Sequence, residues 1–200
     1  MFSDVYFELL DAGFLNPKSP NCIWISDMLW IRQEEIPRTY YHKEMKYVMP
    51  FARTGSGDIY GWFLKDPDLE LIVICNHDDG ESRFYAPNFI SAIFRRIIEF
   101  SSEYGFCMDD EKCEEASDWP ITESHLKNMM KKYLDIFGSY FHPTWNEEIR
   151  CLISSSFKEY HEITGQTHPV LLFESEAKEK IKNLIPFENF DKSFNWMEWL

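Results

Sequence analysis

The fold is decided by residues 47–63, which read YVMPFARTGSGDIYGWF. Two apolar runs flank the turn Thr54-Gly55-Ser56-Gly57-Asp58, whose two glycines allow the positive φ angles that reverse a chain. These features predict a β-hairpin with strands at Tyr47–Ala52 and Ile59–Phe63. Because a strand rather than a helix follows the turn, the glycines do not form a phosphate-binding loop. We expect Asp58 to accept hydrogen bonds from the amides of its own turn.

A third strand and a polar loop follow the hairpin. Leu69–Cys75 is apolar almost throughout, which is typical of a central strand that is covered on both faces. The loop Asn76-His77-Asp78-Asp79-Gly80 is expected to end this strand. Together with the hairpin, this pattern predicts three consecutive strands that lie side by side.

The next predicted element is a helix. It is expected to open at Tyr85–Asn88, with Pro87 in its first turn, and to extend to Tyr104. Its apolar residues recur at helical spacing, and its polar residues, which include Arg95 and Arg96, lie on the opposite face. We therefore expect an amphipathic helix that packs on the sheet.

The segments on either side of this central region carry weaker patterns. Two short apolar runs, Cys22–Ile25 and Met28–Ile31, are separated by Ser26-Asp27. The first run is strand-like and the second has no clear assignment. After residue 105 the pattern is mainly helical, and it ends in an aromatic tail. We expect a single domain over residues 1–200, with a core at about 1–105 and a helical extension at about 120–200.

The composition limits the classes of partner. Hydrophobic residues make up 44% of the chain and aromatic residues 17%, so disorder is excluded over most of its length. The net charge of −14 at pH 7 opposes contact with a bare phosphate backbone, so a direct nucleic-acid partner is not expected. The same charge is complementary to a basic partner, although solubility alone also favours an acidic surface.

The sequence carries no signal for export or membrane insertion. Its first residues lack a basic segment followed by an apolar core, and no run reaches the roughly 18 apolar residues of a membrane-spanning helix. Its five cysteines are odd in number and scattered, which fits free thiols in a reducing compartment. We therefore expect a cytoplasmic protein with no membrane partner, no metal and no other cofactor.

Several of these motifs occur together in one known family. Residues 50–58, the aromatic pair Tyr60 and Trp62, and Tyr85–Phe89 followed by Phe94-Arg95 resemble the SMI1/KNR4 family, also called the SUKH superfamily. Members of that family more often carry a third glycine where this chain has Ser56. The resemblance implies an α+β fold with a single mixed or antiparallel sheet flanked by helices. It also implies a protein-binding role without shared catalytic residues, and many bacterial members neutralise toxins, often nucleases.

We therefore expect a bacterial immunity protein that binds a cognate toxin, with a basic toxin domain as the preferred partner. Acidic side chains would steer such a partner and aromatic side chains would anchor it. The candidate contact residues are Asp58, Trp62, Asp109, Asp110, Glu111, Glu114, Glu115, Asp118, Trp196 and Trp199.

Two alternatives stay open at this point. The first is an intracellular scaffold or regulatory module that has no toxin partner. The second is a metal-dependent hydrolase that uses the loop His77-Asp78-Asp79, since a His-Asp pair also occurs in metal-dependent phosphohydrolases. In those enzymes the pair lies on a helix, whereas here it follows a strand. The sequence leaves the oligomeric state open.

Overall fold

The computed structural model describes residues 3–35, 47–66, 69–78, 81–103, 122–161 and 167–195. Within these ranges the chain combines helices with antiparallel strands, which confirms the expected α+β class. No described helix combines the length and the apolarity that a membrane span requires. In chain order the elements are α1 (Asp4–Asp11), β1 (Leu29–Trp30), β2 (Val48–Arg53), β3 (Ile59–Phe63), β4 (Ile72–Cys75), β5 (Glu81–Ala86), α2 (Phe89–Phe100), α3 (Glu123–Phe137), α4 (Pro143–Ser154), β6 (Lys158–His161), β7 (Thr167–Val170), α5 (Glu174–Leu184) and β8 (Ser193–Asn195).

The main sheet has six strands in the order β1-β2-β3-β4-β5-β8. All neighbouring strands of this sheet are antiparallel. The sequence allowed a mixed or an antiparallel sheet, and the main sheet is antiparallel. Strands β2, β3 and β4 lie side by side as predicted. Strand β8 returns from the far end of the chain to pair with β5, where Phe194 lies opposite Ser82. Strands β6 and β7 form a separate two-stranded sheet.

The hairpin of β2 and β3 contains an irregularity in its pairing. Pro50 pairs with Gly61 and Ala52 with Tyr60, so Phe51 is an extra residue that forms a β-bulge. A bulge is one of the few positions in a strand that tolerate proline, which has no amide hydrogen to donate. At Gly61 a Cβ atom would lie 2.5 Å from Val48 Cγ1 and 2.7 Å from the carbonyl oxygen of Met49.

The boundaries after this hairpin differ from the predicted ones. Strand β4 begins at Ile72 rather than at Leu69, which is 49% exposed and lies in the preceding turn. Strand β5, Glu81–Ala86, was not predicted, because its residues were assigned to a polar loop and to the opening of the helix. Tyr85 and Ala86 therefore end a strand and do not begin a helix.

Helix α2 also departs from its prediction. It begins at Phe89, and the side chain of Asn88 caps it by accepting a hydrogen bond from the Ser91 amide at 2.8 Å, so Pro87 lies before the first turn. The expected apolar face is buried, but so is the polar face, since Arg95 and Arg96 are only 5% and 7% exposed. The amphipathic pattern therefore does not mark a solvent-facing side of this helix.

Ion pairs explain how the two buried arginines are tolerated. Arg95 Nε lies 2.7 Å from Glu99 Oε1, and Arg96 contacts Glu103 as well as Glu99. A guanidinium that leaves water needs charged or hydrogen-bonding partners. Glu99, one turn along the helix, and Glu103, just after the helix ends, supply them. Burial raises the pKa of the nearby Tyr133 phenol, an effect that the Arg96 charge opposes.

The chain forms two compact units, Met1–Ile93 together with Phe187–Leu200, and Phe94–Pro186. In the first unit, aromatic rings fill one face of the main sheet. The ring centroids of Phe51 and Trp62 are 4.7 Å apart, and both rings pack near Tyr6 of α1 and Phe89 of α2. The opposite face buries a second cluster, which includes Phe63 and packs against Phe194 of β8.

The second unit contains α3, α4, α5 and the small sheet. The rings of Phe94 and Trp145 stack with centroids 4.5 Å apart and an angle of 10° between their planes. The indole nitrogen of Trp145 donates to the carbonyl oxygen of Leu184 at 2.9 Å. The Ser101 carbonyl oxygen accepts hydrogen bonds from the amides of Leu171 and Leu172. These contacts tie α4, α5 and the end of β7 to the second half of α2.

Candidate functional site

Asp58, the first predicted contact residue, links two loops at one end of the main sheet. Its Oδ1 atom lies 2.8 Å from His77 Nδ1 and accepts a hydrogen bond from the His77 amide at 3.2 Å. The expectation that Asp58 accepts from the amides of its own turn is therefore wrong. The reason is that the Thr54 hydroxyl occupies those amides, accepting from Gly57 and Asp58 at 3.1 Å and 2.9 Å.

A third loop completes this end of the sheet. Asp27 has the left-handed φ of 51°, in a tight turn that the Met28 amide closes by donating to the Ile25 carbonyl. Its Oδ1 atom accepts a hydrogen bond from the Gly55 amide at 2.7 Å. The turn 54–58 is thus held by side chains from both neighbouring loops, and its conformation is set by Thr54, Asp27 and Asp58 together.

The hydrolase alternative depends on the loop after β4. Each ring nitrogen of His77 faces a carboxylate, with Nδ1 2.8 Å from Asp58 and Nε2 2.8 Å from Asp78. Asp79 lies outside the described residues. Within the described ranges, no group of three or more His, Cys, Asp or Glu side chains is arranged to hold a metal ion. The contact with Asp58 therefore joins two loops, the contact with Asp78 lies within one loop, and neither forms a metal centre with other described residues.

The remaining predicted contact residues fall into two classes. Trp62 is only 4% exposed and forms part of the aromatic core, with its ring 4.8 Å from that of Tyr6. It supports the sheet and presents no surface to a partner. The acidic residues Asp109, Asp110, Glu111, Glu114, Glu115 and Asp118 and the tryptophans Trp196 and Trp199 lie outside the described residues.

The structure shows a different surface feature, which we call the Trp24 groove. It has a volume of about 430 Å³ and is lined by residues of the segment 17–24, by residues of the segment 28–35 and by Arg53. Among the described residues, the large apolar side chains that are exposed are Phe7, Trp24, Leu29 and Leu69. Two of these, Trp24 and Leu29, line the groove.

The groove has a buried floor and, among the described strands, lies at the edge of the sheet. Trp30 is 7% exposed, and its indole nitrogen donates to the carbonyl oxygen of Ile23 at 2.8 Å. Strand β1 is the first strand of the sheet, and the Ile31 amide donates to the Phe51 carbonyl on β2. Since the backbone groups of successive strand residues point to alternate sides, those of Trp30 point away from β2 toward the outer edge.

The charges around the groove are unevenly paired. Lys18 Nζ lies 3.2 Å from Glu34, and Arg32 forms ion pairs with Glu34 and Glu35. Hydrogen bonds from its own backbone amide and from Lys18 lower the pKa of Glu34. Arg53 is exposed, and its side chain has no hydrogen bond or ion pair with the described part of the chain. Among the three cations that line the groove, Arg53 is therefore the one that forms no ion pair with a described residue.

The sequence carried a partial signal for this groove. The run Met28–Ile31, which had no clear assignment, contains strand β1, whereas the strand-like run Cys22–Ile25 forms only an isolated bridge between Ile25 and Met28. Two tryptophans in adjacent apolar runs indicate burial for both by pattern alone. Only the packing shows that Trp24 is 36% exposed while Trp30 is buried.

Comparisons with known proteins found no match from which a function could be argued. The chain matches no protein-family model, no curated protein and no solved structure. The groove and the loop cluster at the end of the sheet are therefore the observations from which a function is argued.

Proposed function

We propose that this chain is a protein-binding module and that it binds its partner through the Trp24 groove. The observation that carries this proposal is the grouping of exposed Trp24 and Leu29 around one concave surface beside Arg53, whose side chain forms no ion pair with the described residues. Aromatic and arginine side chains contribute most to binding energy at protein interfaces, and exposed apolar groups gathered in a cleft favour a contact that excludes water.

A narrower form of the proposal is a cytoplasmic immunity protein that neutralises a toxin. Its support is the resemblance of residues 50–58, the pair Tyr60 and Trp62, Tyr85–Phe89 and Phe94-Arg95 to the SMI1/KNR4 family. The chain charge of −14 would also speed encounter with a basic toxin domain. A regulatory scaffold without a toxin would use the same groove. Coexpression with the product of an adjacent toxin-like gene distinguishes the immunity protein from the scaffold. Only an immunity protein restores growth of cells that express the toxin.

The groove itself is tested by photocrosslinking. A benzophenone amino acid is introduced at Leu29, or at Leu69 as a matched position that is equally apolar and exposed but lies outside the groove. We expect a specific crosslinked partner from Leu29 and none from Leu69. The partner identified in this way is then titrated against the variants Leu29→Ser and Leu69→Ser.

Truncating a central interface residue costs at least about 1 kcal/mol, so Leu29→Ser should weaken binding by roughly fivefold or more. Leu69→Ser should bind as the unmodified chain does. Circular dichroism and the urea midpoint confirm that both variants are folded. Equal affinity for the two variants, or crosslinking from Leu69 alone, would place the interface elsewhere and refute the use of the groove.

A further inference from the structure

The chemistry of the Trp24 groove differs from that of the chain as a whole. The chain carries a net charge of −14, yet the groove is lined by the cations Lys18, Arg32 and Arg53 against the single anion Glu35. Ion pairs with Glu34 and Glu35 neutralise Lys18 and Arg32. The exposed guanidinium of Arg53 thus leaves a local positive charge directly beside apolar Leu29, its partner in the β1–β2 register.

We infer that the groove takes an extended acidic segment of a partner protein, in which a carboxylate lies next to an apolar side chain. This inference rests on the proposed function and specifies the partner. The carboxylate would bind the Arg53 guanidinium, whose planar donors match a carboxylate in a paired geometry. The apolar side chain would lie between Trp24 and Leu29.

The position of β1 at the edge of the described sheet explains why the segment would be extended. The backbone groups of Trp30 point to that edge, and an added strand would hydrogen-bond to them while its alternate side chains enter the groove. Because β1 has only two residues, the backbone contributes few bonds. The side-chain contacts with Arg53, Trp24 and Leu29 would therefore decide which segments bind.

The acidity of the whole chain does not prevent such a contact. Exposed charges are screened beyond roughly 8 Å at physiological ionic strength, so the remote carboxylates act weakly on a bound segment. The guanidinium would lie in direct contact with the incoming carboxylate, where the attraction is strongest. An acidic segment at this groove is also compatible with a partner whose remaining surface is basic.

The test uses a phage library of random dodecapeptides, selected in parallel on the unmodified chain, Arg53→Glu, Arg53→Lys and Leu29→Ser. We expect the unmodified chain and Arg53→Lys to enrich peptides with Asp or Glu beside an apolar residue. Arg53→Glu should instead enrich Lys or Arg at that position, and Leu29→Ser should lose enrichment. A synthetic winning peptide should bind about five- to tenfold more weakly when its Asp is replaced by Asn.

The possible failures separate the two proposals. Peptides that depend on Leu29 but are unaffected by Arg53→Glu would overturn the acidic segment while retaining a protein-binding groove. Peptides unaffected by either change, or the absence of enrichment on all four proteins, would overturn the groove itself. Two further results would replace the acidic peptide with another occupant. The first is binding of a labelled oligothymidylate that is lost in the variant Arg53→Glu. The second is self-association, measured by sedimentation, that is lost in the same variant.

Discussion

The tight packing of Gly61 against β2 gives a test of the hairpin register. Replacing Gly61 by alanine adds a Cβ atom that would lie 2.7 Å from the Met49 carbonyl oxygen and 2.5 Å from Val48 Cγ1. Both distances are well inside the 3.4 Å at which ordinary contact begins. Val48 is β-branched and has little rotamer freedom, and the carbonyl belongs to the backbone of β2, so the strands themselves must separate.

The net effect combines two opposing terms. Forcing an extra carbon into a packed interior costs about 1–3 kcal/mol, whereas alanine restricts the unfolded chain and recovers about 0.4–1 kcal/mol. We therefore expect Gly61→Ala to destabilise the protein by about 1–2 kcal/mol. Gly55→Ala is the matched control, because its Cβ would meet only Asp27 Oδ1 at 3.5 Å and the Gly55 amide still donates to Asp27. The control should be unchanged or slightly stabilised.

Urea unfolding followed by tryptophan fluorescence measures both variants. With a slope of roughly 2 kcal/mol per molar urea, the midpoint of Gly61→Ala should fall by about 0.5–1 M. Its melting temperature should fall by roughly 2–8 °C for a chain of this size. If Gly61→Ala were as stable as Gly55→Ala, the bulge at Phe51 and the pairing of Pro50 with Gly61 would be incorrect.

Two further predictions concern buried ionisable groups. Burial raises the pKa of Tyr6 from 10.0 to about 12, so its contribution to stability is complete below pH 10 and is lost as the pH rises from 10 to 12. Between pH 8 and pH 11, the free energy of unfolding should therefore fall by about 1 kcal/mol less for Tyr6→Phe than for the unmodified chain. Urea midpoints at the two pH values measure this fall, and an equal fall for both proteins would contradict the prediction. Burial likewise raises the pKa of Cys75 to about 12, whereas Cys151 is exposed. Iodoacetamide near pH 8 should alkylate Cys151 and spare Cys75 until urea is added, and mass spectrometry showing equal rates in the folded protein would disprove the burial of β4.

The sheet could be predicted where its pairing is local. The turn 54–58 and the apolar runs on both sides of it are sufficient for a hairpin, and the run before Cys75 supplies the next strand. Strand β5 pairs locally with β4, but it was missed because its burial alternates only toward one end. Its other partner, β8, lies more than a hundred residues away in sequence. Pairing at such a separation leaves no local pattern to read.

The buried arginines show a second limit of sequence patterns. Arg95 and Arg96 lie opposite the apolar stripe of α2, and a helix with such a stripe usually exposes its charged side. Here both are buried, and their charges are offset by Glu99 on the same helix and by Glu103 just after its end. Carboxylates three, four or seven residues away are visible in the sequence, but they indicate an exposed pair as readily as a buried one.

The candidate site was the least predictable part of the molecule. Asp58 and His77 were each noticed in the sequence, but the contact between them joins loops that are nineteen residues apart. Trp62 was considered as an interface anchor, and it is instead a core residue. Arg53 appeared in the sequence only as part of the motif of residues 50–58, because a pattern along the chain does not show which charged groups lie near an arginine in space.

By itself the sequence determined the α+β class, the central hairpin and the position of the helix that follows the sheet. Those features depend on residues that are neighbours along the chain, where periodicity and turn chemistry act directly. Only the folded structure shows which tryptophan is exposed, which arginine forms no ion pair with the described residues and which strand lies at the edge of the sheet. Each of these depends on which residues surround a side chain after folding, because burial and charge pairing are set by neighbours in space and not by neighbours along the chain.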